Sequence, residues 1–263
     1  MDYKLAIYDV DGTLRGGERR FVSERMQNDI KKLRSMGIKV AVASGRPPKF
    51  VAPEYLDGLT VDYAVCVNGS CVIDGEGSLI SGHTLTERQM NSLLSLYDRY
   101  NAMVDFVFYE GHYAYARAEE MKEYFRMESG QVDDFFNGED RTRHLSGMPF
   151  GAFVCVEDDI MSAYMAGEPE LQAAAYKSGA YDIYLSSVNK AAGIAEILKA
   201  TGIKLSETVA VGDGLNDLEM LREVALGVAM GNASDRVKSA ADIVADTVLN
   251  DGAAIITEQI FGL

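Results

Sequence analysis

Cysteine and histidine are scarce in this chain of 263 residues, with three of each. Cys66, Cys71 and Cys155 form no Cys-x-x-Cys pair, and an odd number of thiols suits a reducing cytoplasm better than a disulfide framework. Packing, not catalysis, is the expected role of all three. His83, His112 and His144 lie far apart with no paired spacing, which argues against a histidine-based metal site. No window approaches the ~18 consecutive apolar residues that a membrane span needs, and no basic segment leads into an apolar stretch at the N-terminus. Neither a signal peptide nor a membrane partner is therefore expected. Positive charge is also short: 25 Lys and Arg stand against 40 Asp and Glu, a net −15, with a sequence pI of about 4.6. Such a field attracts neither nucleic acid nor an anionic membrane, and it repels anionic substrates at long range. A phosphate site in this chain must supply its own local cations. Low-complexity tracts and solenoid-period repeats are missing too. These exclusions leave an ordinary globular protein of the cytoplasm, a monomer or homodimer, long enough for two domains.

What is present begins at Leu5-Ala6-Ile7-Tyr8-Asp9-Val10-Asp11-Gly12-Thr13-Leu14. An apolar run ends in two carboxylates spaced by one residue, then Gly and Thr. The run reads as a buried strand, along which Asp9 and Asp11 would share a face. Ionised carboxylates are too costly for the middle of such a strand, so they belong at its C-terminal end, in a crevice where a cation compensates them. Gly12 allows the backbone to turn closely there, and Thr13 offers a hydroxyl and an N–H.

Downstream, Ser23 caps a helix over Glu24 to Ser35, and Ile38 to Ala43 is a second strand ending in Ser44-Gly45-Arg46-Pro47. Pro47 reads as an early position of a further helix. Tyr63 to Val67 is a third strand, followed by a hairpin about Gly75-Glu76-Gly77. Strands alternating with helices predict a parallel sheet with right-handed crossovers. From about His83 the rhythm changes. Helices are predicted over 87–100, 118–129 and 167–178, and strands over 103–109, 112–117, 149–157 and 181–187, with a polar stretch from Gln131 to Arg143. The parallel pattern returns with a helix at Lys190, a strand at Thr208 to Val211, the run Gly212-Asp213-Gly214-Leu215-Asn216-Asp217, and a strand at Leu226 to Met230. The fold class is α/β: a Rossmann-like parallel-sheet core, residues 1–82 and 187–263, with an α+β domain inserted at 83–186.

In a parallel sheet all strand C-termini point one way, so Asp9, Asp11, Ser44, Lys190, Asp213 and Asp217 can converge on one crevice. Carboxylates there can bind Mg²⁺, a lysine can neutralise phosphate, and hydroxyls can donate to its oxygens. Asp9-Val-Asp11-Gly-Thr13, Ser44-Gly-Arg46, a Lys opening a helix after a large insert, and Gly-Asp213-Gly-Leu-Asn216-Asp217 together resemble the haloacid dehalogenase-like superfamily, in its order. The insert is similar in position and size to the large α+β cap of its Cof-type phosphatase branch (subclass IIB), as are Val228-Ala-Met230-Gly-Asn232-Ala and Val237-Lys-Ser-Ala-Ala-Asp242. One departure is Ala191, where relatives often have Gly after the Lys.

The resemblance implies a Mg²⁺-dependent phosphatase acting on small phosphorylated metabolites such as sugar phosphates, through an aspartyl-phosphate. Asp9 would be the nucleophile and Asp11 the general acid and base. The metal would take Asp9, Asp213 and the backbone carbonyl of Asp11. Thr13, Ser44, Gly45 and Lys190 would bind phosphate, with Asn216 and Asp217 in support. A dehalogenase on this fold does not need an acid at the position of Asp11. A phosphomutase keeps both carboxylates and is separated only by product analysis. A non-catalytic phosphometabolite-binding protein is expected to lack at least one catalytic side chain, and none is missing. The insert offers Tyr109, Tyr113, Arg117 and Arg126 as candidate contacts for the leaving group, without a motif to choose among them.

Overall fold

In a computed structural model, which describes residues 2–129 and 141–263, the opening run forms strand β1 (Leu5–Tyr8), with all four residues buried. Helix α1 (Glu24–Ser35) starts where the Ser23 side chain accepts from the Met26 amide, and it buries Met26, Ile30 and Leu33 at helical spacing. Strands β2 (Lys39–Ala43), β3 (Tyr63–Cys66), β4 (Cys71–Asp74) and β5 (Leu79–Gly82) follow. Between β2 and β3 the chain makes only short 3₁₀ turns, at Pro48–Val51 and Pro53–Tyr55, where the sequence suggests a helix after Pro47.

Next come α2 (Glu87–Tyr100), β6 (Met103–Phe108), β7 (Gly111–Ala116), α3 (Ala118–Ser129), β8 (Gly151–Cys155), α4 (Asp158–Met165), β9 (Leu171–Lys177) and β10 (Ala180–Leu185). The chain closes with α5 (Lys190–Thr201), β11 (Thr208–Gly212), α6 (Leu218–Glu223), β12 (Leu226–Ala229), α7 (Asp235–Lys238), β13 (Ile243–Val244) and α8 (Gly252–Phe261). Of the polar stretch from Gln131 to Arg143, residues 131–140 lie outside the described residues.

Two units emerge, one of Met1–Ser44, Val51–Ser81 and Asn189–Leu263, the other of Gly45–Phe50 and Gly82–Val188. The first is built on an eight-stranded sheet of order β13-β12-β11-β1-β2-β3-β4-β5. It is parallel from β13 to β3, and β4 runs antiparallel to β3. Helices cover both faces. Leu5 and Ile7 point into an apolar cluster with Ala191, Ile194 and Ile197 of α5 and Met220 and Leu221 of α6. Tyr8, on the opposite face, hydrogen-bonds Thr257 of α8 at 2.9 Å. Burial on both faces explains why the strands read as continuous apolar runs and not as alternating ones.

The second unit has its own five-stranded sheet of order β7-β6-β8-β10-β9, antiparallel throughout. The helix predicted over 167–178 is absent: a helix occupies Asp158–Met165 instead, and Leu171–Lys177 is a strand. Ala173-Ala174-Ala175 favours helix by local propensity, but pairing with β10 across the tight Ser178-Gly179 turn overrides it. Segment 45–50, expected in the core, goes with this second unit, where the Lys49 amide donates to the Tyr109 carbonyl at 3.1 Å.

Candidate active site

The parallel register sets Tyr8 beside Val211 on one flank and Val42 on the other, so the chain leaves three neighbouring strands at nearly one level. Asp9 is the first residue beyond β1. Its amide still bonds to the Val211 carbonyl at 2.9 Å, and the residue is 6% exposed. Lys190 opens α5, whose start is fixed by Asn189 accepting from the Ala192 amide at 2.8 Å. Gly193, one position further along, lets the helix lie against β3: a Cβ there would sit 3.2 Å from Val65 Cγ2 and closer still to Cγ1.

The fully buried Lys190 Nζ donates to Asp9 Oδ1 and to Asp217 Oδ1, both at 2.6 Å. Burial pulls the ammonium pKa down, but the two carboxylates outweigh it and hold it above lysine's ordinary value. Asp217 is held at both oxygens, because its other oxygen accepts from the amides of Asp213 (2.9 Å) and Gly214 (2.8 Å). Its oxygens are committed to holding Lys190 and the turn.

Asp9 differs from it. Asp9 Oδ2 is buried and has no hydrogen-bond partner, a costly state for a carboxylate oxygen. Burial raises the Asp9 pKa well above the carboxylate range, opposed by Lys190 but reinforced by Asp217 and Asp213. Asp213 is pushed up to about 6, by burial and then by Asp217. Carboxylate oxygens of Asp9, Asp213 and Asp217 lie within 4.8 Å of one another, so three acids share one lysine. Gly12, at φ +102°, closes the site; a side chain there would strike the Asp213 carboxylate. An oxygen-only donor set, one bare buried oxygen and excess negative charge fit a hard divalent cation such as Mg²⁺.

Thr13 is fully buried, and its hydroxyl donates to Asp213 Oδ1 at 3.2 Å. Asp11 does not share the surroundings of Asp9. The strand stops at Tyr8 and a turn follows, the Val10 carbonyl accepting from the amides of Leu14 (3.0 Å) and Arg15 (3.1 Å). The Asp11 side chain is 58% exposed, with Oδ1 3.5 Å from the Nε of a largely buried Arg15.

The family model of the haloacid dehalogenase-like hydrolases matches residues 6–256. The chain belongs to this family. It is 29% identical to a putative phosphatase of Bacillus subtilis, YkrA, over 99% of this chain and 98% of that one. Identity is 28% to the 5-amino-6-(5-phospho-D-ribitylamino)uracil phosphatase YcsE of the same organism, over 97% of this chain and 94% of the relative. Among solved structures, BT1666 from Bacteroides thetaiotaomicron, described among the phosphatases of the superfamily, superposes with a TM-score of 0.87 at 26% identity, over 99% of this chain and 95% of that one.

Two more of the predicted residues of this hydrolase, Ser44 and Asn216, lie at strand ends of the same sheet. Ser44, the first residue after β2, is buried; its amide donates to the Val65 carbonyl at 2.8 Å and its carbonyl accepts from the Asn68 amide at 3.0 Å. Asn216 donates to Asn68 Oδ1 at 2.8 Å. Asn68 is therefore a junction between the second and fourth motifs that sequence reasoning missed, although the Asn68-Gly69 turn marked its place. Gly45 begins the segment that packs with the second unit.

Asn232 was also missed as a site residue: its side chain bonds to Gly12, Asp213 and Val248. Of the candidate contacts in the insert, Tyr113 donates to Glu110, Arg117 to Glu120 and the Asn101 carbonyl, and Arg126 to Glu123. All of these bonds lie within the second unit.

Among the described residues, no helix is long and apolar enough to cross a membrane.

Proposed function

We propose that this hydrolase is a Mg²⁺-dependent phosphatase that cleaves small phosphomonoesters, sugar phosphates or similar metabolites, through an aspartyl-phosphate on Asp9. The observation that carries the reading is the asymmetry of Asp9, with one oxygen anchored on Lys190 and the other buried without a partner. Mg²⁺ held by Asp9, Asp213 and the Asp11 carbonyl would supply charge neutralisation for a phosphoryl group in transfer. The protein's own groups do the rest. Lys190 fixes the Asp9 carboxylate, and Asp217 fixes Lys190. An Asp9 oxygen attacks phosphorus while the bond to the leaving oxygen breaks, and Asp11 gives that oxygen its proton. A water then attacks phosphorus, Asp11 takes its proton, and the bond from phosphorus to Asp9 breaks to release phosphate.

The exposed setting of the Asp11 carboxylate suits a group that must give and then take a proton. Ser44, Gly45, Lys190 and the backbone of the turn through Thr13 hold the phosphate. The Thr13 hydroxyl is committed to Asp213, so its contribution is the amide. The second unit acts as a cap and selects the leaving group. A relative named for a phosphorylated ribityl compound supports the choice of metabolite class.

The test is phosphate release from a panel of sugar phosphates, nucleotides, cofactor phosphates and an aryl phosphate, with Mg²⁺ and with excess chelator. Turnover of at least the aryl phosphate is expected with Mg²⁺ and none with chelator. Undiminished turnover in chelator contradicts the reading, as does phosphate shifted within the substrate without release.

A further inference from the structure

Asn232 lies in the turn after β12, a surface position where an asparagine side chain normally bonds to water. Here every polar atom of the side chain has a protein partner. The two amide hydrogens go to the Gly12 carbonyl at 2.9 Å and Asp213 Oδ2 at 3.1 Å, and Oδ1 accepts from the Val248 amide at 2.9 Å. The partners fix which end is nitrogen, since the reverse orientation would set oxygen against a carbonyl and a carboxylate, and NH₂ against an N–H. The three partners come from the first-motif turn, the fourth-motif loop and the segment before α8.

The turn carrying Asn232 is itself anchored from both sides. The Met230 amide donates to the Gly212 carbonyl at 2.9 Å and the Gly231 amide to the Asp246 carbonyl at 3.0 Å.

Asp213 is thus gripped at both oxygens, Oδ1 by the Thr13 hydroxyl and Oδ2 by Asn232. A carboxylate has about four lone-pair sites, so two donors leave each oxygen one further site and fix the plane in which those sites point. The same Asn232 amide fixes the distance between that carboxylate and the Gly12 turn, which leads back to Asp11 and Asp9. We propose that Asn232 is a positioning residue for the cation site, orienting Asp213 against the first-motif turn; this rests on the metal-dependent reading above. Donors that bond to a ligating side chain commonly govern metal affinity in this way.

Mg²⁺ is titrated calorimetrically into the wild-type chain and Asn232→Ala, and the thermal unfolding of each is followed without metal. The expected result is a Mg²⁺ Kd about 10–100-fold weaker in the variant. A merely structural role would lower the metal-free unfolding midpoint and leave the Kd of the folded protein unchanged, and that outcome overturns the proposal. If Asn232→Ala does not fold, Asn232→Ser removes the amide donor without adding a charge beside Asp213. Weaker binding supports the proposal there, and equal or tighter binding overturns it. A wild-type chain that binds no Mg²⁺ would instead bring down the functional reading itself.

Discussion

Asp9 and Asp11 stand two residues apart in sequence, and the structure gives them opposite surroundings. Asp9 is enclosed and tied to Lys190, while Asp11 reaches solvent beside Arg15. Their substitutions should fail differently. Asp9→Asn removes the attacking oxygen and a charged partner of Lys190 together, and no turnover is expected in a phosphate-release assay. On the proposed mechanism Asp11→Asn removes proton transfer while keeping the backbone carbonyl, a loss of roughly 10²–10⁴-fold. The loss on the first chemical step should be large for an alkyl phosphate and small for an aryl phosphate, whose leaving group needs little help. Equal losses on both substrates would deny Asp11 its role as the acid. The acids and the lysine could be read from sequence because each follows an apolar run or opens a helix. Asn68 and Asn232 could not be given roles, because their side-chain bonds reach residues 148 and, for Gly12, 220 positions away.

The elements that set the site are β1, β11 and α5. Helix α5 carries Lys190 at its first position and meets β3 through Gly193, so the contact fixes the height of Lys190 against Asp9. In Gly193→Ala the new methyl collides with Val65, and overpacking of this kind costs about 1–3 kcal/mol. A lower unfolding midpoint and reduced turnover are expected together, because the helix start must shift. Adding Val65→Ala makes room for the methyl and should restore part of both, which thermal scans and assays of the double variant would check. A double variant no better than the single one would place the control of Lys190 elsewhere. Element type was legible where periodicity was strong, as in α1 and α2. It failed at Leu171–Lys177, where three alanines carry a helical preference and the partner strand alone decides.

Over the whole molecule, the net charge of −15 repels phosphates and draws cations, so a phosphate site here calls on the buried Lys190 and, on the proposed reading, on a divalent ion. Without that ion, Asp213 has a pKa raised to about 6. Metal ligation needs the ionised form, so protons compete with Mg²⁺ as the pH falls through that value. Calorimetric Mg²⁺ affinity should therefore weaken between pH 7.5 and pH 5.5, with proton uptake by the metal-free protein in the same range; a flat profile would remove Asp213 from the ligand set. The change of rhythm near His83 lies one residue from Gly82, where the second unit resumes, but the grouping of segment 45–50 with that unit has no local signal, since it involves long-range pairing such as that of Lys49 with Tyr109. The central claim is that turnover passes through a covalent bond between phosphorus and Asp9. Rapid-quench trapping of Asp11→Asn with an aryl phosphate and Mg²⁺, read by intact mass and then by mass analysis of the peptides, tests it most directly. The account predicts a slowly hydrolysed phosphoryl adduct on the Asp9 side chain and none in Asp9→Asn. An adduct on any other residue, or full turnover by Asp9→Asn, would contradict it.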